Sequence, residues 1–332
     1  MSSTHQSGPA EIVYDNATKH YPGQPAPALN QLNLTVPAGE ICALVGPSGG
    51  GKTTALTLVN RMTELTGGDI RIGGRGIRET DPIALRRDIG YVIQHTGPFP
   101  HMTVAANINL VPRILKWSKE SARKRALELL EMVGLSPAEQ FANRYPTQLS
   151  GGQQQRAGIA RALASDPPVM LMDEPFGALD PITRGNVQQE FLRLHARIGK
   201  TTLFVTHDVD EAILMGDRIA ILHEGGTLAQ YDTPDTILRN PANEFVAPFV
   251  GSDRSLKHLA LTTLQQFPPS PLNGPVPDWP AAPPATSPRE ALAIILAEGS
   301  DGLLVGDHAN PTGLVSLDAL RKASTTETAR AR

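Results

Sequence analysis

Short apolar runs broken by glycine and proline fill the first 45 residues of this 332-residue chain: Ile12-Val13-Tyr14, Leu32 to Val36 and Ile41 to Val45, with Pro/Gly clusters at 22–27 and 37–39. This length and punctuation predict short strands, the first of them in an antiparallel edge. Ile70 to Gly74 reads as a further strand and turn, and Ile89 to Gln94 as a strand ending in a polar residue. From Met102 to Ala164 the period turns helical. Ser118 is placed to cap a helix running to Val133, and Ser136-Pro137-Ala138-Glu139 reads as a capping box with proline at the first helical position. Val169 to Met172 is a wholly apolar run leading into Asp173-Glu174, as in a buried parallel strand with acids at its carboxyl end, and Leu203 to His207 repeats the arrangement. Arg218 to Leu222 and Thr227 to Gln230 form a hairpin-like pair, followed by helical segments to about Val250.

Between Phe267 and Pro288 nine residues are proline, which removes backbone donors and predicts a connecting segment. Beyond it, Ser287 to Ala297 reads as a helix, Gly302 to Val305 and Thr312 to Ser316 as strands, and Leu317 to Lys322 as the start of another helix. The expected class is therefore α/β, with a mixed sheet, an antiparallel β edge, a helical subdomain and a small C-terminal α/β region. The expected division is a tail over 1–10, a main domain over 11–250 with its helical subdomain at about 98–165, a Pro-rich connection over 251–286 and a final region over 287–332.

Composition changes this picture little. Charged residues are 19% and apolar ones 40%, and the formal net charge of −3 provides no basic field for nucleic acid. No apolar run approaches the roughly 20 residues a membrane-spanning helix needs, and residues 1–10 carry no apolar leader pattern. The single cysteine, Cys42, falls in an expected buried strand and cannot form an internal disulfide, which fits a reducing compartment.

Candidate chemistry centres on Gly46-Pro47-Ser48-Gly49-Gly50-Gly51-Lys52-Thr53, which fills every position of the G-x-x-x-x-G-K-[ST] phosphate-binding pattern between an apolar strand and a helix-forming run from Thr54. The glycines let the backbone turn its N–H groups inward, and the helix N-terminus adds a positive dipole. Lys52 would reach the β/γ-phosphates and the Thr53 hydroxyl would ligate Mg²⁺. Asp173, at a strand end, is placed to hold Mg²⁺, and Glu174 to polarise an attacking water. His207 ends the next strand and could contact the γ-phosphate. Gln94 could offer its amide oxygen to the metal, and Tyr21 could stack on adenine. Because ligands in open α/β sheets sit beyond the strand carboxyl ends, Gly46, Gln94, Asp173 and His207 are expected to converge. Leu149-Ser150-Gly151-Gly152-Gln153 opens a second helix with Ser150 as a good N-cap, and so a second anion site. One nucleotide needs only one phosphate loop, so this second helix start is expected to face a nucleotide held by another copy of the chain.

In order, Tyr21, the phosphate loop, Gln94, the Leu-Ser-Gly-Gly-Gln run, Asp173-Glu174, Gly177-Ala178-Leu179-Asp180 and His207 resemble the ATP-binding subunits of ABC transporters over residues 11 to about 250. The resemblance implies a head-to-tail homodimer sandwiching two ATP molecules. Gly46 through Thr54 would cradle the phosphates, and Ser150, Gly151, Gly152 and Gln153 would reach across the interface. Lys52, Glu174 and His207 would carry catalysis, with Glu174 as general base, Gln94 as the coupling glutamine and Asp180 at the interface. Thr53, Gln94 and Asp173 would hold Mg²⁺. Integral-membrane permease subunits at the cytoplasmic face of the membrane are implied as partners, with an extracytoplasmic solute-binding protein acting through them.

The strings Asp88 to Gln94, Phe99 to Val104, Asn107-Ile108, Val111-Pro112 and Lys116-Trp117 resemble, more narrowly, the ATPases of quaternary-amine importers for glycine betaine, choline, carnitine or proline. Ser252 to Lys257 and one cystathionine-β-synthase (CBS) type motif over Ser287 to Lys322 agree with that. The chain departs from those relatives at His95-Thr96-Gly97-Pro98, at Gly50, and in showing one CBS-like motif instead of two. The alternatives are an importer ATPase for another small solute such as an amino acid, and a soluble ABC-type ATPase without a membrane partner. The second lacks the paired nucleotide domains, coiled coil or basic surface expected of it.

Overall fold

The structure, a computed structural model, describes residues 8–93, 98–267, 270 and 276–325. The chain forms two compact units, residues 1–231 and 232–332. The sequence pattern places the change near residue 250. Residues 234–239 instead group with the second unit, because the helix Pro234–Arg239 is tied to the helix Arg254–His258 through Asp235, which bonds Arg239 Nε at 2.9 Å and His258 Nε2 at 2.7 Å.

In the first unit a six-stranded sheet runs in the order Leu228–Asp232, Arg218–Leu222, Ile41–Val45, Thr201–Val205, Val169–Asp173, Ile89–Val92. The pairings from Arg218–Leu222 through to Ile89–Val92 are all parallel. Every residue of the three central strands is buried. That is why these strands read as unbroken apolar runs and not as alternation. A separate four-stranded antiparallel sheet contains Leu29–Val36, Ile12–Lys19, Gly67–Ile72 and Arg75–Gly76. Leu29–Val36 faces water on one side and shows the corresponding in-out burial. One apolar core joins the antiparallel sheet to a face of the parallel one, with Tyr14, Leu32 and Ile70 packing with Leu44, Leu56, Leu171 and Leu203. Each such side chain contributes about 1.5–3 kcal/mol on burial. The buried Tyr14 hydroxyl donates to the Ala55 carbonyl at 3.0 Å, pinning the helix Lys52–Val59 to that sheet.

The helical stretch is a series of short helices, of which Lys119–Met132 and Gly151–Ala162 are the longest. Ser118 caps the first by accepting from Ser121 N at 3.0 Å. The capping box expected at Ser136 does not form. The helix Ala138–Ala142 begins after Pro137 with no side-chain cap from its own N-terminus, and Glu131 Oε1, from the preceding helix, accepts from Ala138 N at 2.7 Å instead. A carboxylate brought by tertiary packing has replaced the local one.

The second unit orders its main elements as strand Ala281–Ala282, helix Pro288–Glu298, strands Gly302–Asp307 and Asn310–Ser316, and helix Leu317–Thr325. The first two strands pair in parallel and the last two antiparallel. Ser287 and Glu290 form a full capping box on the helix. The proline-rich segment is more than a connection. Leu264 and Ala282 are buried in this unit's core with Ile295, Leu303, Val315 and Leu320, and a Cβ on Gly302 would strike the Trp279 ring. Prolines remove donors, yet an edge strand of two residues needs few.

Candidate nucleotide site

The order of the parallel sheet explains the site. The strand Ile41–Val45 lies beside Thr201–Val205, which lies beside Val169–Asp173, with Leu44 opposite Val205 and Val205 opposite Asp173. The residues after these three carboxyl ends, Gly46, His207 and Glu174, therefore emerge together, as ligand sites on open α/β sheets do.

Gly46, Gly49 and Gly51 hold φ of 151°, 80° and 78°. A Cβ on Gly46 would strike the Leu222 carbonyl, and one on Gly51 the Ala28 carbonyl. Only glycine permits this backbone to fold so tightly, and the tightness aims its amides inward. At Gly50 φ is not positive, and an added Cβ would lie 3.1 Å from Pro47 O. Lys52 Nζ bonds the Gly46 and Pro47 carbonyls at 2.8 and 2.9 Å, so the ammonium is held over its own loop. Burial lowers the Lys52 pKa, and the carboxylates of Glu174 and Asp173 oppose that shift.

Thr53 Oγ1 donates to Asp173 Oδ1 at 3.3 Å. Burial raises the Asp173 pKa, the Thr53 hydrogen bond opposes this, Glu174 adds to it and Lys52 counters it. A buried carboxylate beside a hydroxyl and a phosphate cradle is a hard oxygen donor set, and so suits Mg²⁺. Glu174 adopts φ 42°, in the left-handed region, and its N–H bonds Val205 O at 2.9 Å. Glu174 Oε2 lies 3.2 Å from His207 Nδ1. Glu174 is largely covered whereas His207 is exposed, with side-chain exposures of 22% and 66%.

The second anion-binding candidate is built as its sequence suggests. Ser150 Oγ accepts from Gln153 N at 3.3 Å, and Gln153 Oε1 accepts from Ser150 N at 3.0 Å, a capping box at the start of Gly151–Ala162. The Gln153 side chain is thus spent on the cap. Ser150 and Gly151 are exposed, while Gly152 is buried against Thr183 and Val187 of the helix Pro181–Ile198. Asp180 caps that helix by accepting from Thr183 N at 3.1 Å, and its hydrogen bonds to Thr183 hold its carboxyl below the usual range. Tyr21 is 37% exposed, with the Lys19 ammonium 4.8 Å from the ring centroid on one face.

Residues 29–177 match the family model described as ABC transporter. The osmoprotectant import ATP-binding protein OsmV of Salmonella typhimurium is 51% identical over 255 residues, 76% of this chain and 66% of that protein. The choline transport ATP-binding protein OpuBA of Bacillus subtilis is 52% identical over 74% of this chain and 64% of its own length. The chain thus spans less than two thirds of these two relatives. The glycine betaine uptake system ATP-binding protein YehX of Escherichia coli is 42% identical over 311 residues, 93% of this chain and 98% of that protein. The chain belongs to the ATP-binding proteins of the ABC transporter family. Among solved structures, the dimeric bacterial ABC transporter cassette MJ0796 is 40% identical with a TM-score of 0.59, over 67% of this chain and 98% of its own. A post-hydrolysis MJ0796 dimer bound to ADP and Pi is 39% identical with the same score.

Within this cassette the phosphate loop, Lys52, Thr53, Asp173, Glu174 and His207 form one contiguous group. Gln94 and the departing residues 95–97 lie outside the described residues; Pro98, next in the chain, is buried. A cavity of about 170 Å³, lined by Arg125, Asp166 and Lys200 among others, lies at the amino ends of strands Val169–Asp173 and Thr201–Val205, the opposite edge from this chemistry. Sequence reasoning missed Arg184, Gln188 and Glu211, which support the His207 side of the site. Their only signal was the i, i+4 spacing of Arg184 and Gln188 on a helix that starts at Asp180.

Proposed function

We propose that this protein hydrolyses ATP to energise an importer of quaternary-amine osmoprotectants. The observation that carries the reading is the Glu174–His207 pair standing beside a glycine cradle and the Asp173–Thr53 pair. Bound Mg²⁺ would neutralise the triphosphate, held by Thr53 and Asp173 with Gln94. The loop amides and Lys52 bind and orient the phosphates, and Glu174 orients a water and accepts its proton while His207 fixes the Glu174 carboxylate. Positioning and charge neutralisation thus do most of the work. Ser150 and Gly151, exposed at a capped helix start, fit a nucleotide held by a second copy, which supports a head-to-tail homodimer.

No helix among the described residues is long and apolar enough to cross a membrane. In the proposed reading, separate permease subunits carry the solute, with this chain peripheral at their cytoplasmic face. The solute class rests on relatives whose names specify osmoprotectant, choline and glycine betaine transport. The strand-helix-strand-strand-helix order of the second unit supports a single CBS-like regulatory motif.

Co-reconstitution with its permease in vesicles, measuring ATPase activity and uptake of labelled glycine betaine, choline and carnitine, tests the whole reading. Glu174→Gln should still bind ATP while turnover falls about 100-fold or more, within the range for loss of a general base. Wild-type turnover in that variant rejects Glu174 as the base, and uptake of none of the three amines rejects the solute class.

A further inference from the structure

Behind the Glu174–His207 pair, the helix Pro181–Ile198 grips the segment that carries His207. Arg184 and Gln188 are one turn apart on this helix and so share a face. Arg184 Nη2 donates to the Leu179 carbonyl at 3.2 Å, and Nη1 lies 3.8 Å from Asp208 Oδ2. Gln188 Nε2 donates to Glu211 Oε1 at 2.7 Å in a buried contact. Asp208 is the residue directly after His207. Its N–H bonds Thr206 Oγ1 at 3.0 Å, and its Oδ1 caps the helix Val209–Met215 by accepting from Asp210 N and Glu211 N at 2.9 and 3.2 Å. One guanidinium therefore joins the loop Gly177–Asp180, which descends from Glu174, to the loop on which His207 stands.

The geometry points to Arg184 as a positioning residue that holds His207 in register with Glu174 and makes that register follow the placement of the loop ending at Asp180. This rests on the proposed role of His207 in hydrolysis. The two residues of the pair sit on different strands and different loops, and His207 is largely exposed, so the 3.2 Å separation needs an external brace. Of the two links the helix makes, the Gln188–Glu211 bond fixes the helix Val209–Met215, and Arg184 fixes the turn before it. Arginine suits this place because its planar fork can serve two acceptors on different segments at once. A displacement of about 1 Å at a catalytic group is enough to cost up to about 100-fold in rate.

The test is a cycle of Arg184→Ala and His207→Ala in the full-length chain, reading kcat and the KM for ATP. Arg184→Ala is expected to lower kcat about tenfold with KM within about twofold, and to cause no further loss when His207 is already alanine. Arg184→Lys, which keeps the charge but loses the fork, should recover part of the rate. Arg184→Gln, which keeps one donor for Leu179, should resemble alanine, and these two variants carry the test if Arg184→Ala does not fold. Wild-type kcat in Arg184→Ala, or an equal loss in the presence and absence of His207, overturns the brace. If His207→Ala itself turns over at the wild-type rate, the role of His207 fails and the brace fails with it; a slow His207→Ala beside an unimpaired Arg184→Ala rejects the brace alone.

Discussion

Replacing Gly152 with alanine tests whether the buried second residue of the helix Gly151–Ala162 is set by packing. A Cβ at this position would stand 2.7 Å from Thr183 Cγ2 and 3.4 Å from Val187 Cγ2. Carbon atoms pack comfortably at about 3.5–4.0 Å, so the first contact is short by nearly 1 Å. Overpacking of this kind costs about 1–3 kcal/mol. Opposing it, alanine is favoured over glycine in a helix by about 0.5–1 kcal/mol. The expected net loss is therefore centred on about 1 kcal/mol and reaches at most about 2.5 kcal/mol. Thr183→Ser removes the offending methyl and keeps the hydroxyl and the N–H that bonds Asp180. In that background Gly152→Ala should lose most of its penalty, a coupling of about 1 kcal/mol in a double-mutant cycle. Urea unfolding monitored by circular dichroism, with m-values compared across the four proteins, reads this directly. An alanine variant as stable as the parent, or one equally destabilised whether residue 183 is threonine or serine, would refute the packing argument.

The site carries two further expected outcomes. Tyr21→Ala should raise the KM for ATP about tenfold with kcat within twofold, since base–aromatic stacking is worth about 1–3 kcal/mol, while Tyr21→Phe should match wild type; an unchanged KM in the alanine variant removes Tyr21 from adenine binding. Burial raises the Glu211 pKa above its ordinary value, against the hydrogen bonds from Thr206 and Gln188. A raised folded-state value means that the group's contribution to stability is present below the ordinary value and lost as the pH rises through the raised one. Glu211→Gln does not titrate and retains an acceptor for Gln188, so its melting temperature relative to wild type should climb as the pH rises above the ordinary glutamate value of 4.5. A difference that stays flat or falls over that range contradicts the assigned burial cost.

The sequence alone determined the phosphate loop, the strand end at Asp173, the Ser150 cap and most strands of the first unit. These rest on short-range rules: which residues tolerate a positive φ, which cap a helix, and which fill a strand buried on both faces. The strand expected to end at His207 stops at Val205 and leaves His207 on the following loop. Only tertiary structure decided which strands are neighbours, and hence that Glu174 meets His207 although 33 positions separate them. It also decided that Glu131 caps the helix Ala138–Ala142, that Arg184 reaches Asp208, and that the proline-rich stretch supplies Leu264 and Ala282 to a core. Each of these depends on a partner brought from elsewhere in the chain. A local pattern states that a polar group needs a partner or that an apolar group needs burial, but it does not state which distant residue will meet that need.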